Sequence, residues 1–390
     1  MINPYLIFSA TYLAVFMAYQ FKWSELYPKI TVPVMFFLLS SILISATVGL
    51  ATKSNFKKIN KYSFKYSRIY LFIALFILLG TVVDGIFSGG FPILGTVNYD
   101  SFGIKSLNPL IQYIAAIFAY MCVSALIDTH ANKIKLVCCL CVAFVPFIMA
   151  LSRGMIFSTA IVCLLLIVTK KKIKKKRIVI FLCVSVFGAY AFGILGNVRL
   201  NYQVNQNEST SVQDTTLAMN IGLASQKFAD SPIPKPFFWT YLYATSPIAN
   251  LQTTINNKYV QGATMPKFIV TQWMPDYISQ KIYPSYSTDI KNASNNTQVT
   301  AVLTVGGIYL GSYILWGWFG VIAMFIYMMI FAVVYAGILW KIAPKYFNIG
   351  ISLLTSIYLM SVFDNMLSFS GISLQLVAIL LFGIMDKKKE

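Results

Sequence analysis

The sequence predicts an all-α polytopic membrane protein: about ten transmembrane helices and one large loop on the non-cytoplasmic side. Three observations predict it. Of the 390 residues, 58% are hydrophobic and only 11% charged, with a mean hydropathy of +0.70, too few charges to solvate a soluble domain of this size. Apolar runs of helix-spanning length recur along the chain. The basic residues cluster in the short segments between those runs, on alternate sides.

The apolar runs place helices at about 3–20, 31–51, 69–88, 109–128, 136–151, 154–169, 178–198, 316–340, 347–366 and 371–386. The first run lacks a basic leader and a small-residue cleavage site, so it is expected to stay as a helix. Basic segments follow at 52–68, 129–135 and 170–177, then at Lys341 and Lys345, and at Lys387–Lys389. Together they hold 20 of the 31 Lys and Arg residues, which assigns them, and both termini, to the cytoplasm. The net charge of +19 therefore orients helices, and no nucleic-acid partner is expected.

Segment 136–169 tests that assignment. As one helix it would be about 50 Å long, against a hydrocarbon core of about 30 Å. Both flanks are basic, so it must be a hairpin, with Ser152-Arg153-Gly154 at its outer tip. Outside lie a short turn at 21–30, a Gly/Pro/Asn-rich loop at 89–108 and the large segment from 199. The chain thus divides into 1–198 with seven helices, 199–315 as the large loop, and 316–390 with three helices. The stretch 299–315 is apolar but broken by glycines, and is expected to be re-entrant or interfacial.

Few residues are suited to chemistry. Cys122, Cys138, Cys139, Cys141, Cys163 and Cys183 all fall inside apolar runs, without a CxxC–His pattern. The single histidine, His130, lies in a loop assigned to the cytoplasm. Arg153 and Arg199 stand at outer helix mouths, where positive charge is otherwise sparse. An ionisable group at that depth faces a cavity or a partner, and the planar guanidinium suits phosphate. The alternative is structural, as interfacial anchors or partners of Asp84 and Asp364. Asp84, Asp100, Asp276 and Asp364 are candidate general bases. None forms a DxD pair, so no cofactor or metal ion is expected. The large loop has thirteen aromatics in a hundred residues, below the 15% of the whole chain, so packing accounts for them as well as sugar stacking does.

Three stretches resemble the O-antigen (Wzy-type) polymerases of the bacterial envelope. They are Gly90-Phe91-Pro92-Ile93-Leu94 through Tyr99, Phe102 and Gly103; Tyr241 through Tyr243, Pro247 and Asn250; and Asn296-Thr297 followed by Gly306-Gly307, Tyr309, Gly317 and Gly320. The resemblance implies a C-type glycosyltransferase-like architecture in the inner membrane, with the large loop periplasmic. It implies polymerisation of undecaprenyl-diphosphate-linked oligosaccharide repeat units into O-antigen-type polysaccharide, within lipopolysaccharide biosynthesis. Partners would be those lipid-linked sugars, membrane lipids and a chain-length regulator protein. Arg153, Arg199 and Asp84 would be catalytic, and Tyr243, Asn250, Lys267 and Tyr99 would bind substrate. The related ligases use a periplasmic histidine that this chain lacks, which favours polymerase over ligase. The arginine-to-glycine repeat motif of some polymerases is absent after both arginines. A transporter or flippase for the same lipids is the alternative class, disfavoured because no internal repeat is visible.

Overall fold

In lipid a chain must satisfy its backbone hydrogen bonds within each segment, and the apolar runs do so as helices. A computed structural model describes residues 2–56, 62–98, 101–105, 107–129, 131–170, 175–204, 214–286 and 293–387. Every predicted run is helical: α1 Pro4–Tyr19, α2 Val32–Ala51, α3 Arg68–Ser88, α4 Leu107–Asp128, α5 Lys133–Met149, α6 Arg153–Lys170 and α7 Lys175–Val204. After three helices of the large loop, α8 Phe237–Asn256, α9 Met265–Trp273 and α10 Asp276–Ile282, come α11 Gly307–Ile342, α12 Phe347–Met360 and α13 Ser370–Lys387. Among the described residues the only bridge between extended segments joins Ser24 to Ala224. Helices α2, α3, α4, α6 and α11 are long and apolar enough to cross a membrane; α1 and α13 are shorter apolar helices. The protein is thus an α-helical polytopic membrane protein.

Capping and tyrosine hydroxyls tie the bundle together. The Asn3 side chain accepts from the Tyr5 amide at 2.9 Å and donates to the Gly49 carbonyl at 2.9 Å, joining the start of α1 to the end of α2. Tyr5 donates to the Met329 carbonyl and Tyr12 to the Ser361 carbonyl, so α1 is fixed to the last helices of the chain. The basic segments gather at one end of the bundle. There Lys170 meets Asp128 at 2.7 Å with both side chains largely buried, and the same carboxylate accepts from the Phe64 amide. Phe64 packs edge-on against Tyr346, whose hydroxyl, like Lys345, bonds Asp386.

At the other end the large loop is not a separate soluble layer. Helix α8 is its best-buried element and wedges between α1, α7 and α11. Gly193 and Gly196 of α7 allow this approach, since a Cβ there would lie about 2 Å from the Pro236 carbonyl and the Trp239 ring. Its polar groups are spent on neighbours: Tyr27 donates to the Leu242 carbonyl at 2.6 Å, and the Gln252 amide oxygen accepts from the Thr31 amide at 2.9 Å.

The glycine-broken stretch resolves into a short helix, 307–316, whose first amides are satisfied by the turn after α12. Gly307 N–H donates to the Phe363 carbonyl at 3.0 Å and Ile308 N–H to that of Ser361 at 2.9 Å. Gly317 then takes φ 58°, ψ −142°, open in practice only to glycine, and separates this helix from the long span at 318–342. A Cβ at Gly317 has room, its nearest neighbour being Val260 at 3.7 Å, so the cost of Gly317→Ala is conformational. We expect about 1–3 kcal/mol of destabilisation. It should register as a lower melting temperature of the purified protein in detergent; an unchanged melting temperature would refute the need for glycine. Helix α12 ends at Met360, earlier than the apolar run suggests. The turn 361–369 that follows brings Asp364 out of the bundle.

Candidate functional site

At this end α9, α10, the turn 361–369 and the first turn of α13 meet in one polar cluster. Asp276 opens α10 directly after Pro275, and its amide donates to the Ser368 carbonyl at 2.6 Å. Its Oδ1 accepts from the Ser370 amide at 3.0 Å, so this carboxylate caps α13 from 94 residues away. The Tyr277 amide donates to Ser370 Oγ at 2.8 Å, closing a reciprocal pair.

Asp364 stands across from it. Its Oδ1 accepts from the Asn365 amide at 2.7 Å. Solvent reaches the side chain, yet protein crowds it on most sides. That crowding, with the negative charge of Asp276, pushes its carboxyl above the usual carboxylate range, against the lowering effect of the Asn365 amide. Asn365 Nδ2 donates to the Gln272 carbonyl at 2.8 Å, and Ser312 Oγ donates to Gln272 Oε1 at 3.2 Å. The Gln272 amide donates to the Tyr286 hydroxyl, which burial pushes up to about 12. That phenol therefore stays protonated at neutral pH. Gly311 makes room for this network, since a Cβ there would lie 3.0 Å from Gln272 Oε1 and 3.2 Å from the Tyr286 oxygen.

Aromatic rings flank the cluster. Tyr243 packs against Phe363, next to Asp364, with ring centroids 6.4 Å apart, and against Phe192 of α7 at 5.4 Å. On α10, Lys281 Nζ lies 4.2 Å from the centroid of the exposed Tyr277 ring.

The residues singled out from sequence fall into three groups. Arg153, the exposed first residue of α6, comes just before Met155, whose sulfur lies 3.3 Å from where a Gly371 Cβ would be. Two positions apart on a helix, Arg153 and Met155 face different ways, so this contact does not carry the Arg153 side chain to α13. Tyr243 reaches the cluster through its contact with Phe363. Elsewhere, Asp84 is buried, accepting from the Ile104 amide at 2.9 Å and Asn108 Nδ2 at 3.1 Å, and so fastens the outer loop to α3. Asn250 is equally committed, donating to the Leu303 and Val305 carbonyls at 2.7 Å and accepting from the Val299 amide at 2.9 Å. Lys267 is half-buried on α9, next to Phe268. Arg199 lies within α7, but its side chain is outside the described residues, as are Tyr99, Asp100 and His130 altogether.

Sequence reasoning named Asp276 and Asp364 singly and missed their pairing, because no local spacing signals a contact across so many residues. Among the described residues no three His, Cys, Asp or Glu side chains converge as metal ligands would. A carboxyl with a raised pKa beside a protonated phenol can take a proton from a bound hydroxyl while the phenol donates to a neighbouring oxygen. No family model, no curated protein and no solved structure matches this chain.

Proposed function

We propose that the protein is a glycosyltransferase that polymerises oligosaccharide repeat units carried on undecaprenyl diphosphate, working at the outer face of the inner membrane. The observation that carries this reading is the cluster around Asp364: a carboxyl with a raised pKa beside the Tyr243–Phe363 ring pair, at the bundle end opposite the basic segments. A hydroxyl of the incoming unit attacks the anomeric carbon of the growing chain. The new glycosidic C–O bond forms as the bond to the diphosphate breaks, and undecaprenyl diphosphate leaves with the electron pair. Asp364 takes the hydroxyl proton. Arg153 and Arg199 balance the charge on the departing diphosphate, which needs fixed donors and no metal. Tyr243 offers its ring to a sugar face.

The deciding experiment uses purified protein in detergent with lipid-linked repeat units and no ion gradient. Elongation supports transfer; movement of unmodified lipid across proteoliposome membranes, with no elongation, would support a flippase instead.

This reading fixes ten spans, both termini in the cytoplasm and the large loop in the periplasm. A single cysteine at Lys227, exposed on the loop, should react with a membrane-impermeant maleimide added to intact spheroplasts. One at Lys53, exposed at the opposite end, should react only after lysis. The reverse pattern would overturn the orientation.

A further inference from the structure

Helix α10 has the reverse of the polarity that water selects. Its inward side carries Asp276, which bonds the Ser370 amide, and the buried Ser279. Its outward side carries Tyr277, Ile278, Lys281 and Ile282, at spacings that put all four on one face. Tyr277, Ile278 and Ile282 are 55%, 37% and 53% exposed. A helix lying in water would turn the aspartate and serine outward and the isoleucines inward.

Two neighbouring helices fix the depth at which α10 lies. The Asp276 amide bonds the Ser368 carbonyl and the Tyr277 amide bonds Ser370 Oγ, so α10 starts beside the first residue of α13. From Ser370 to Asp386, which Lys345 holds at the basic end, α13 rises about 24 Å at about 1.5 Å per residue. Tyr113 of α4 lies close enough to Asp276 and Tyr277 to feel their charge. It stands about 23 Å along α4 from Asp128, which pairs with Lys170 at the same basic end. Neither rise exceeds the hydrocarbon core of about 30 Å. Helix α10 therefore begins at the far edge of that core, where acyl chains give way to headgroups.

Its outward face has the composition of that layer. Tyr277 joins an apolar ring to a polar tip, as residues of the interfacial belt do. Lys281 donates to the Tyr277 hydroxyl at 2.9 Å, and its long stem can carry the ammonium on to lipid phosphate. We propose that α10 is an interfacial helix whose partner is the phospholipid surface. Ile278 and Ile282 sit among the upper acyl carbons, and Tyr277 and Lys281 lie at the headgroups. The bilayer thereby completes the packing of the element that carries Asp276, and the Asp276–Asp364 cluster lies at headgroup depth. This depends only on α4 and α13 lying in the membrane, not on the reaction proposed above.

The test is nitroxide accessibility in the full-length protein, held in nanodiscs of phosphatidylethanolamine and phosphatidylglycerol. Labels go on Ile278→Cys, Ile282→Cys and, as a control in water, Lys227→Cys on the exposed loop. Wild type labelled alongside gives the background from Cys138, Cys141 and Cys183, which are exposed. Both isoleucines are exposed, so the cysteine variants should melt as wild type does. Oxygen partitions into lipid and a nickel chelate stays in water. The ratio of oxygen to nickel access at 278 and 282 should therefore exceed that at 227 severalfold. A ratio equal to that at 227 would place α10 in water. Labels shielded from both reagents would place it under another protein surface, a second copy included. Either result would overturn the proposal and leave the functional reading standing.

Discussion

Asp364→Asn should lower the rate of elongation by about 10²–10³-fold, the usual cost of losing a general base, with the protein still present in the membrane. The amide keeps the shape and can still accept from the Asn365 amide, so loss of rate would report lost basicity. The pH dependence is the sharper test. Asp364 must be ionised to take a proton, and its carboxyl is held above the usual carboxylate range by desolvation and by Asp276. The wild-type rate should therefore show an acidic limb displaced upward from about 3.9, and this limb should vanish in Asp364→Asn. Asp276→Asn removes the opposing charge while asparagine still caps α13, so it should move the limb toward lower pH. Stability should shift too. A carboxyl whose folded pKa is raised stabilises the fold at pH below its unfolded value and loses that contribution as pH rises through the folded value. Asp364→Asn should hence be no less stable than wild type at neutral pH. An acidic limb that survives the substitution would remove Asp364 from the chemistry.

The second large effect is expected at the arginines. Arg153→Ala and Arg199→Ala should each cost about 3 kcal/mol of transition-state stabilisation, on the order of a hundredfold in rate. Lysine keeps the charge but not the two parallel donors, so Arg153→Lys and Arg199→Lys should be impaired nearly as badly. The readout is the length distribution of polymer on gels, from cells holding each variant at matched protein level. Long ladders from both alanine variants would make these arginines interfacial anchors, and the positive charge would have to come from residues such as Lys281.

Much of the fold was legible because lipid imposes a simple code. Apolar length placed a helix at each of the ten apolar runs, and basic loops grouped the segments carrying Asp128, Lys170 and Lys345 at one end. What stayed hidden depends on long-range pairing. The Tyr- and Thr-containing stretch 237–256 looked like loop, since its polar groups find partners only after Tyr27, Thr31 and the 299–305 segment are in place. Asp84 and Asn250 were legible as polar residues at suggestive positions, but not as residues whose hydrogen-bonding atoms are already occupied. Asp364 was read as the end of a helix, whereas the helix stops at Met360 and leaves it in the turn that bonds α9 through Asn365.

The bond from the Ser370 amide to Asp276 also sets a timetable for biogenesis. Its partners are 94 residues apart, and ribosomes add about 5–20 residues per second, so Asp276 emerges roughly 5–20 s before the helix it caps. Over the same interval the Asn365 amide that holds Asp364 has not been made. A nascent chain can thus have nearly all its helices inserted and still lack this cluster. Competence would arrive only with the last helix, so a chain truncated before Ser370 should be inert rather than partly active.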